Sequence, residues 1–494
     1  MNKQSISSRI LALLMVIAVT ISVAAMPADV YAASKKKAKK PKITCSITFK
    51  NINGDTVIKK GKKLKVAYSA KSSNGKKVKV RFRTSNRRVA TVSRNGVIKA
   101  KRNGTVKITA IGYIKGRKRG SKTVKIKVGK PVTGVSLSGY TYLRAGRSTS
   151  LKTTISPSNA TNKKIVWSSS NMKAVKVDQQ GRITGVGNGS AVVTAKAADG
   201  SGASRTVTVY SHRYTKEDTH WIAHRGLHET AKENTAEAFR LAGQAGFWGC
   251  ECDIWETKHV QKEIPVQTQA IDTADSDEIV TDSDIVEDIA MPETTTVEEF
   301  DIVISHDRSL QRVYGVDINV ESTTAEQIRA NSKLSQVCFF EEYLKICKQY
   351  GMIPIIEIKD FDMTAEGIAL MSEMVNEQGL LEQAQFISFD ATVLERTQKH
   401  IINTYSITPY TGYLYDGGNV SSAIALAKNK GFTGINLGLA SLTPTANSQC
   451  KSNGLKVCTW TYRDNLYSDE MLYKHLMSGR YNVYSTTTDG KFFK

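Results

Sequence analysis

The sequence predicts a multidomain protein in which two all-β sandwiches precede an α/β barrel. A pattern of short runs rich in Val, Ile and Thr occurs twice between residues 44 and 212, and the matched positions lie 85 residues apart. Short alternating runs broken by turn residues are typical of antiparallel sandwiches. After residue 215, eight apolar runs alternate with stretches of helical periodicity. That alternation predicts a parallel (β/α)8 barrel, the TIM-barrel architecture.

Residues 1–32 have the features of a signal peptide. A basic start precedes an apolar run from Ile10 to Met26, and Val-Tyr-Ala at positions 30–32 matches a signal-peptidase site. We expect cleavage after about Ala32, which would leave a mature chain without a transmembrane segment, secreted or associated with the cell surface or wall. The alternative is an uncleaved membrane anchor, because the apolar run approaches the length that spans a bilayer.

Positive charge is concentrated near the N-terminus. The chain has a net charge of +25, but residues 33–130 contain 33 Lys and Arg against one acidic residue, Asp55, whereas residues 131–494 carry about −8. A Lys-rich linker at 33–43 leads into a basic domain at 44–130. Outside a cell, this charge predicts an anionic wall polymer or anionic surface as the partner of residues 33–130, without specific recognition of nucleic acid. The alternative is a solvated surface that has no partner.

The two sandwiches share particular residues as well as a general pattern. Phe82 of the first repeat corresponds to Trp167 of the second, and both precede a Ser-Asn pair. Gly96 corresponds in the same way to Gly181. Each unit of about 85 residues has room for seven strands.

These repeats resemble the bacterial immunoglobulin-like group 2 family. The resemblance predicts one immunoglobulin-like domain at 44–130 and a second at 131–212. It implies a surface spacer or an adhesion module rather than an enzyme. The first repeat departs from the family in its strong positive charge, which argues against a neutral spacer.

The barrel is predicted to occupy residues 215–494, and its strands and helices follow from the hydrophobic pattern. The strands are expected near 221–225, 250–256, 353–358, 386–389, 410–414, 433–437, 456–461 and 482–486. The expected helices are Thr235–Ala245, Glu342–Tyr350, Ala365–Glu377, Ala391–His400, Ser421–Lys430 and Asp469–Ser478.

An acidic segment interrupts this pattern at residues 261–301. It contains 13 acidic residues against Lys262 alone and is rich in Thr and Ser. Such a composition predicts a disordered insertion. We expect it to alter the entrance to any site that the neighbouring strands form.

Three carboxylates at predicted strand ends suggest a metal site. Glu251 and Asp253 are two residues apart in one strand, so their side chains point to the same face. They would repel each other unless a cation lay between them. Glu357, in the next predicted strand, supplies a third carboxylate. Ligands that are all oxygen suit Ca²⁺ or Mg²⁺ better than Zn²⁺.

Four further polar residues complete a phosphodiester site at the same barrel end. His224 and His306 both follow apolar runs and can act as a general acid and a general base. Arg225 and Lys359 are placed to neutralise a phosphate.

The barrel region resembles the glycerophosphodiester phosphodiesterase family. The matching motifs are His224-Arg225-Gly226, Glu233-Asn234-Thr235, Glu251-Cys252-Asp253, His306-Asp307, Glu357-Ile358-Lys359, Trp460-Thr461 and Thr488-Asp489. The resemblance implies hydrolysis of a glycerophosphodiester to an alcohol and glycerol phosphate, with Ca²⁺ or Mg²⁺ in many members.

The resemblance also implies a role for each site residue. His224 and His306 would be the acid and the base, and Glu251, Asp253 and Glu357 the metal ligands. The remaining three, which would contact phosphate or substrate, are Arg225, Lys359 and Trp460. Trp460 would line the pocket, although simple packing inside the barrel is the alternative. The sequence departs from the family at Arg463, where asparagine is common.

The other cysteines and histidines show no such context. No C-x-x-C pair occurs among the seven cysteines, so a structural zinc site is not expected. Cys250 and Cys252 flank Glu251 and should be buried small hydrophobic residues. Four other histidines of the barrel region are predicted to be surface or loop residues, namely His220, His228, His259 and His400.

Three other functions remain open from the sequence. The enzyme could act on a wall polymer such as teichoic acid. It could instead act on lysophospholipids or phosphoinositides, although residues 215–494 show no apolar rim for them. A non-catalytic adhesin could carry a barrel that has lost its activity, but all seven polar site positions are retained.

Overall fold

The computed structural model describes residues 42–265 and 294–489. The predicted signal peptide, nearly all of the Lys-rich linker and the interior of the acidic segment lie outside the described residues. The chain divides into two compact units, Met1–Pro131 and Val132–Lys494. The predicted order of two sandwiches and a barrel is confirmed, and the second unit holds both the second sandwich and the barrel.

The first unit is a β-sandwich built from nine strands. The strands are β1 Cys45–Phe49, β2 Val57–Lys59, β3 Lys63–Lys65, β4 Tyr68–Ser72, β5 Lys79–Thr84, β6 Ala90–Val92, β7 Val97–Ala100, β8 Gly104–Ile114 and β9 Arg117–Gly129. They form sheets in the orders β2-β9-β8-β5 and β3-β7-β6, with a β1-β4 ribbon. Alternate residues of the strands, such as Val106, Ile108 and Ala110, fill the core. Every described Lys and Arg of this unit is exposed except Arg119 and Lys127.

The second sandwich repeats this arrangement. Its strands are β10 Gly134–Ser138, β11 Tyr142–Arg144, β12 Ser148–Ser150, β13 Lys152–Ser156, β14 Ile165–Ser169, β15 Val175–Val177, β16 Arg182–Gly185, β17 Gly189–Ala197 and β18 Ser204–His212. The corresponding sheets have the orders β11-β18-β17-β14 and β12-β16-β15, with a β10-β13 ribbon.

The glycine and aromatic positions of the repeat are in contact within each sandwich. Gly96 and Gly181 both have positive φ, +77° and +86°. A Cβ added to Gly96 would lie 2.8 Å from the Phe82 ring, and one added to Gly181 would lie 2.6 Å from Trp167. Each glycine therefore allows a tight turn to cover the aromatic ring of the core.

The barrel contains the eight predicted strands in a closed parallel sheet. They are β19 His220–Ala223, β20 Gly249–Glu256, β24 Ile353–Ile358, β25 Gln385–Ser388, β26 Tyr410–Tyr415, β27 Gly434–Gly438, β28 Lys456–Tyr462 and β29 Ser485–Thr488. Closure is made by β19, which pairs with both β20 and β29. The last strand begins three residues later than predicted.

The described barrel helices include the six that were predicted. They are α1 Ala236–Ala245, α2 Gln311–Tyr314, α3 Ala325–Ala330, α4 Phe340–Tyr350, α5 Ala365–Glu377, α6 Ala391–Tyr405, α7 Val420–Asn429, α8 Pro444–Ser452 and α9 Leu466–Leu472. The last helix continues into a π-helical turn at Tyr473–Met477. The polar α8 was not predicted, because few apolar residues mark its periodicity. No helix in the described parts of the chain is both long and apolar enough to cross a membrane.

The two flanks of the acidic segment are ordered, contrary to the prediction of a disordered insertion over all of 261–301. Strands β21 Val260–Pro265 and β22 Thr294–Glu299 pair as an antiparallel ribbon. The next strand, β23 Ile302–Ile304, pairs antiparallel with the end of β20. The consecutive β-branched residues that begin β22, three Thr and Val297, favour a strand despite the acidic composition.

Candidate active site

The three predicted metal ligands lie together inside the barrel. Cys250 and Cys252 of β20 belong to the hydrophobic core, as predicted, so Glu251 and Asp253 face the opposite side of the strand. Parallel pairing of β20 with β24 places Glu357 directly beside Asp253. One carboxylate oxygen from each of the three residues lies within 4.8 Å of the others.

This carboxylate cluster suits a hard divalent cation. Glu251 Oε1 and Asp253 Oδ1 are buried and have no hydrogen-bond partner among the described residues. Burial and the neighbouring charges of Asp253 and Glu357 raise the pKa of Glu251 well above its ordinary value. Burial and the charge of Asp253 raise the pKa of Glu357 to about 7. A cation would satisfy the unpartnered oxygens and offset the repulsion.

Arg225 and Lys359 border this cluster, and each contacts a carboxylate. The backbone N–H of Arg225 donates to Glu251 Oε2 at 2.8 Å. The Arg225 guanidinium lies 3.3 Å from Asp253 Oδ2, and Lys359 Nζ lies 3.0 Å from Glu357 Oε1. Two cationic side chains therefore face three carboxylates, and both remain at the edge where a phosphate could bind.

Each of the two predicted catalytic histidines is held by a carboxylate. His224 Nδ1 lies 2.5 Å from Asp489 Oδ1, and His306 Nδ1 lies 2.6 Å from Asp307 Oδ1. Burial acts to raise the pKa of Asp489, but its contacts with His224, His228 and Arg463 together lower that pKa below its ordinary value. Since an ionised carboxylate can only accept, Nδ1 of His224 donates the hydrogen bond, which leaves Nε2 to exchange a proton.

Burial has the larger effect on His224 itself. It lowers the pKa of the imidazole, while the hydrogen bond that the ring donates to Asp489 acts in the opposite direction. The neutral ring is therefore favoured near neutral pH. A neutral imidazole oriented by a carboxylate is suited to accept a proton.

Asp489 and His228 belong to the same cluster, and sequence reasoning assigned a role to neither. His228 Nδ1 lies 2.7 Å from the carbonyl oxygen of His224, and its Nε2 lies 3.7 Å from Asp489 Oδ1. Arg463, the departure from the family pattern, lies 3.2 Å from the other oxygen of Asp489. His228 is a loop residue, as predicted, but its loop faces the site.

A second polar chain connects the two halves of the site. Arg312 contacts both Asp307 and Glu233. Glu233 also lies 3.2 Å from the Arg225 guanidinium, and Asn234 donates to Asp253 at 2.8 Å. Glu233 and Asn234 belong to a motif of the family resemblance, but the sequence did not indicate which residues they contact.

One cavity of about 200 Å³ unites the predicted residues. It is lined by His224, Arg225, Glu251, His306, Glu357, Lys359, Ile387, Phe389, Leu414, Asn436, Trp460, Thr461, Arg463 and Thr487. Of the eight predicted site residues only Asp253 is absent from this lining, because it is completely buried beneath the cavity.

Trp460 both lines the cavity and packs within the barrel. Its indole N–H donates to the carbonyl oxygen of Asn436 at 2.9 Å. Its ring meets Phe389 edge to face, with the ring centres 5.6 Å apart. The two interpretations of Trp460 from the sequence are therefore compatible.

Family models match three segments of the chain. Residues 46–128 and 131–208 match the bacterial Ig-like domain (group 2). Residues 301–480 match the glycerophosphoryl diester phosphodiesterase family. The last segment contains His306, Glu357, Lys359 and Trp460, whereas the other predicted site residues precede it.

Similarity to curated proteins is confined to short segments. An uncharacterized protein of Clostridium acetobutylicum is 39% identical over 67 residues, which are 14% of this chain and 7% of that protein. A lacto-N-biosidase of Bifidobacterium bifidum is 40% identical over 83 residues, 16% of this chain and 7% of that protein. The chain thus spans less than a tenth of the length of either relative.

Solved structures of phosphodiesterases are similar to this chain over 55% of its length. A glycerophosphodiester phosphodiesterase from Thermotoga maritima is 19% identical, with 94% of it covered and a TM-score of 0.39. A phosphodiesterase from Oleispira antarctica, in complex with the product sn-glycerol-3-phosphate, is 21% identical, with 92% covered and a TM-score of 0.39. The assignment rests on the family models. The chain therefore carries two bacterial Ig-like domains of group 2 and a barrel that belongs to the glycerophosphoryl diester phosphodiesterase family.

Proposed function

We propose that the protein is an exported, cation-dependent phosphodiesterase that hydrolyses glycerophosphodiesters to an alcohol and glycerol phosphate. The observation that carries this proposal is the single cavity that brings together two carboxylate-bound histidines, two cationic side chains and a carboxylate cluster with unpartnered oxygens.

The side chains divide the chemistry among them. Arg225 and Lys359 bind the phosphate oxygens and neutralise the charge that hinders attack by a nucleophile. His224 or His306 takes the proton of the attacking oxygen, and the other gives a proton to the departing alkoxide. Asp489 and Asp307 keep the two rings oriented, and Trp460 borders the substrate.

Glu251, Asp253 and Glu357 would hold Ca²⁺ or Mg²⁺. A bound cation supplies Lewis-acid polarisation of the phosphate and further neutralisation of its charge. This role depends on a donor set made only of oxygen atoms, which disfavours Zn²⁺.

The size of the cavity favours a small substrate. At about 200 Å³ it is smaller than the ~300–1,000 Å³ of typical pockets for drug-sized ligands. A glycerophosphate unit with a short alcohol suits this space better than a lysophospholipid. Retention of the whole polar set also argues against an adhesin whose barrel has lost activity.

Export and surface attachment complete the proposal. Residues 1–32 act as the cleaved signal peptide, and the basic first sandwich binds an anionic wall polymer or surface. The exposure of nearly all Lys and Arg side chains in the first sandwich supports its role in attachment.

N-terminal sequencing of the mature protein tests cleavage of the signal peptide, and Ala33 is the expected first residue. Retention on teichoic acid that is unchanged between 50 mM and 1 M salt would contradict electrostatic attachment.

Hydrolysis of glycerophosphocholine is the direct test of the activity. The wild-type protein should release choline and glycerol phosphate, and His224→Ala and His306→Ala should each reduce kcat by about 10²–10⁴-fold. His400→Ala, a histidine outside the cavity, is the matched control and should retain full activity. EDTA should stop turnover, and Ca²⁺ or Mg²⁺ should restore it. Full activity of both cavity variants would refute the assignment.

A further inference from the structure

A second cavity lies between the second sandwich and the barrel. Its volume is about 560 Å³, more than twice that of the candidate active site. Four arginines line it, Arg144, Arg147, Arg182 and Arg213, and the acidic residues in its lining are Glu229 and Asp464. The cavity therefore has an excess of positive charge. We call it the arginine groove.

The groove has a rigid base, because two of its arginines hold the sandwich on the barrel. The guanidinium Nε atoms of Arg144 and Arg147 lie 3.3 and 3.2 Å from the carboxylate of Asp469, which is completely buried. Both arginines also contact Asp464. These contacts position the groove but occupy much of the charge of the two arginines.

Arg182 and Arg213 are the groove's other two arginines, and they differ from the first pair. Both side chains are exposed. Among the described residues, neither arginine forms an ion pair with an acidic side chain. Arg213 precedes the buried Tyr214, and Arg182 begins β16. They are available to an anionic ligand in solution.

The groove adjoins the candidate active site through two pairs of consecutive residues. Arg463 lines the active-site cavity, and Asp464 lines the groove. His228 contacts Asp489 of the site, and Glu229 lines the groove. Consecutive Cα atoms are about 3.8 Å apart, so a residue of the active site is the direct chain neighbour of a groove residue at both places.

We propose that the arginine groove binds a second phosphate of a substrate whose first phosphodiester occupies the candidate active site. This inference rests on the proposed function and makes its substrate class more specific. The substrate is a chain of polyol phosphodiesters that extends from the barrel onto the second sandwich. The sandwich is then part of the substrate-binding surface, not a spacer alone.

Phosphate suits the chemistry of this groove. Guanidinium groups bind phosphate oxygens through paired hydrogen bonds, and they remain charged at any physiological pH. A single-stranded nucleic acid would also need exposed aromatic rings on which its bases could stack. The aromatic residue in the groove lining, Tyr214, is only 2% exposed, so a polyol chain is favoured.

A double charge reversal tests the groove without touching the candidate active site. Arg182→Glu/Arg213→Glu is compared with Lys196→Glu/Arg205→Glu in the full-length chain. The control variant changes the charge by the same amount, also on exposed residues. Lys196 and Arg205 lie near the opposite end of the β17–β18 hairpin from Ser211, about seven residues or roughly 24 Å along the strands. Both variants keep the basic first sandwich, so its effect on polymer binding is the same in each.

The expected result is a selective loss. On oligomers of glycerol phosphate, kcat/KM of Arg182→Glu/Arg213→Glu should fall about tenfold or more, whereas kcat/KM on glycerophosphocholine stays within about twofold of wild type. The control variant should match wild type on both substrates. Equal losses on both substrates, or no loss on the oligomers, would overturn the proposal.

Direct binding separates failure of the groove from failure of the proposed function. Glycerol phosphate oligomers are titrated into His306→Ala protein with and without the two groove substitutions, and no catalysis is needed. Weaker binding after substitution supports the groove even if the wild-type protein hydrolyses nothing. Unchanged binding overturns it. Single-stranded DNA that binds as tightly as the oligomers, with the same dependence on Arg182 and Arg213, would overturn the assignment to polyol phosphates.

Discussion

Asp489 controls both the position and the protonation of His224. Its carboxylate accepts from the ring, and its charge opposes the lowering of the His224 pKa that burial causes. Asp489→Asn removes that charge, so the pKa of His224 should fall further. We expect the limb of the pH profile of kcat/KM that belongs to His224 to move about one unit toward lower pH.

The other limb of that profile should stay in place. Glu326→Gln, an exposed carboxylate in the first turn of α3, serves as the control and should leave both limbs unchanged. A shift of the His224 limb toward higher pH in Asp489→Asn would contradict control of the His224 pKa by the Asp489 carboxylate.

The carboxylate cluster should make stability depend on pH and on cations. Because the pKa of Glu251 is raised by folding, the folded protein holds a proton that the unfolded chain loses above about pH 4.3. The free energy of unfolding of the cation-free protein should therefore decrease as the pH rises through and above that value. A bound cation should restore this stability at pH 8.

Glu251→Gln tests this dependence by thermal unfolding rather than by activity. In EDTA at pH 8 the variant should have a higher Tm than wild type, because a buried charge is gone. Added Ca²⁺ or Mg²⁺ should raise the Tm of wild type and not that of the variant. An equal rise in both proteins would show that the cation binds elsewhere.

Sequence reasoning found the site residues that follow strands but not the residues that support them. Glu251 and Asp253 alternate within one strand, and Glu357 ends the strand beside it, so their convergence follows from the register of a parallel sheet. The pairing of His224 with Asp489 joins residues 265 positions apart. No local pattern encodes that contact. Its signals in the sequence were its position directly after the last strand and its place in the Thr488-Asp489 motif of the family resemblance.

At the level of single elements, the repeated glycines of the sandwiches allow a sharp comparison. Gly181 and Gly202 share a φ of +86°, but a Cβ at Gly181 would meet Trp167, whereas one at Gly202 would meet nothing within 4 Å. Gly181→Ala should therefore destabilise the second sandwich by about 1–3 kcal/mol more than Gly202→Ala, which bears only the cost of the backbone conformation.

Hydrogen–deuterium exchange of the amides in β14–β17 measures this difference in the full chain. Faster exchange is expected in Gly181→Ala than in Gly202→Ala, with the barrel amides unchanged. Equal exchange in the two variants would mean that the turn over Trp167 relaxes without cost.

Elements with a strong hydrophobic period were the ones that the sequence predicted well. All eight barrel strands are buried on both faces or nearly so, and most of them are apolar runs. The exception is β29, Ser485–Thr488, which consists of hydroxyl residues and is the strand whose start was predicted three residues too early. Helix α8 has a polar sequence, Pro-Thr-Ala-Asn-Ser-Gln-Cys-Lys-Ser, with Thr443 capping its first turn. The β21–β22 ribbon was missed because composition describes an average over 41 residues, whereas strand pairing depends on the few residues at each flank.

For the molecule as a whole, Asp469 links the second sandwich to the barrel. It is completely buried between Arg144 and Arg147, whereas Asp464, which contacts the same arginines, is 54% exposed. Three tyrosines pack beside this link, with Tyr142 stacked on Tyr210 and both against Tyr473. Removal of one partner of a buried ion pair typically costs about 3–5 kcal/mol, and loss of an exposed pair costs up to about 1 kcal/mol.

Calorimetry of Asp469→Ala and Asp464→Ala tests this link. Asp469→Ala should separate the unfolding of the second sandwich from that of the barrel into two transitions, whereas Asp464→Ala should retain the wild-type profile. A single unchanged transition in Asp469→Ala would show that the tyrosine contacts alone hold the two domains together.

Closure of the barrel sheet has a consequence for when the protein becomes active. The backbone N–H of His224 donates to Thr488 at the β19–β29 seam, and Asp489 follows directly. A folding intermediate with seven strands in place has His224 but not the partner that orients it. Catalytic activity therefore requires that the final strand has docked. The lag before activity appears during refolding measures the rate of that docking. A chain that crosses a membrane in the unfolded state would be inactive until its final strand has docked on the far side.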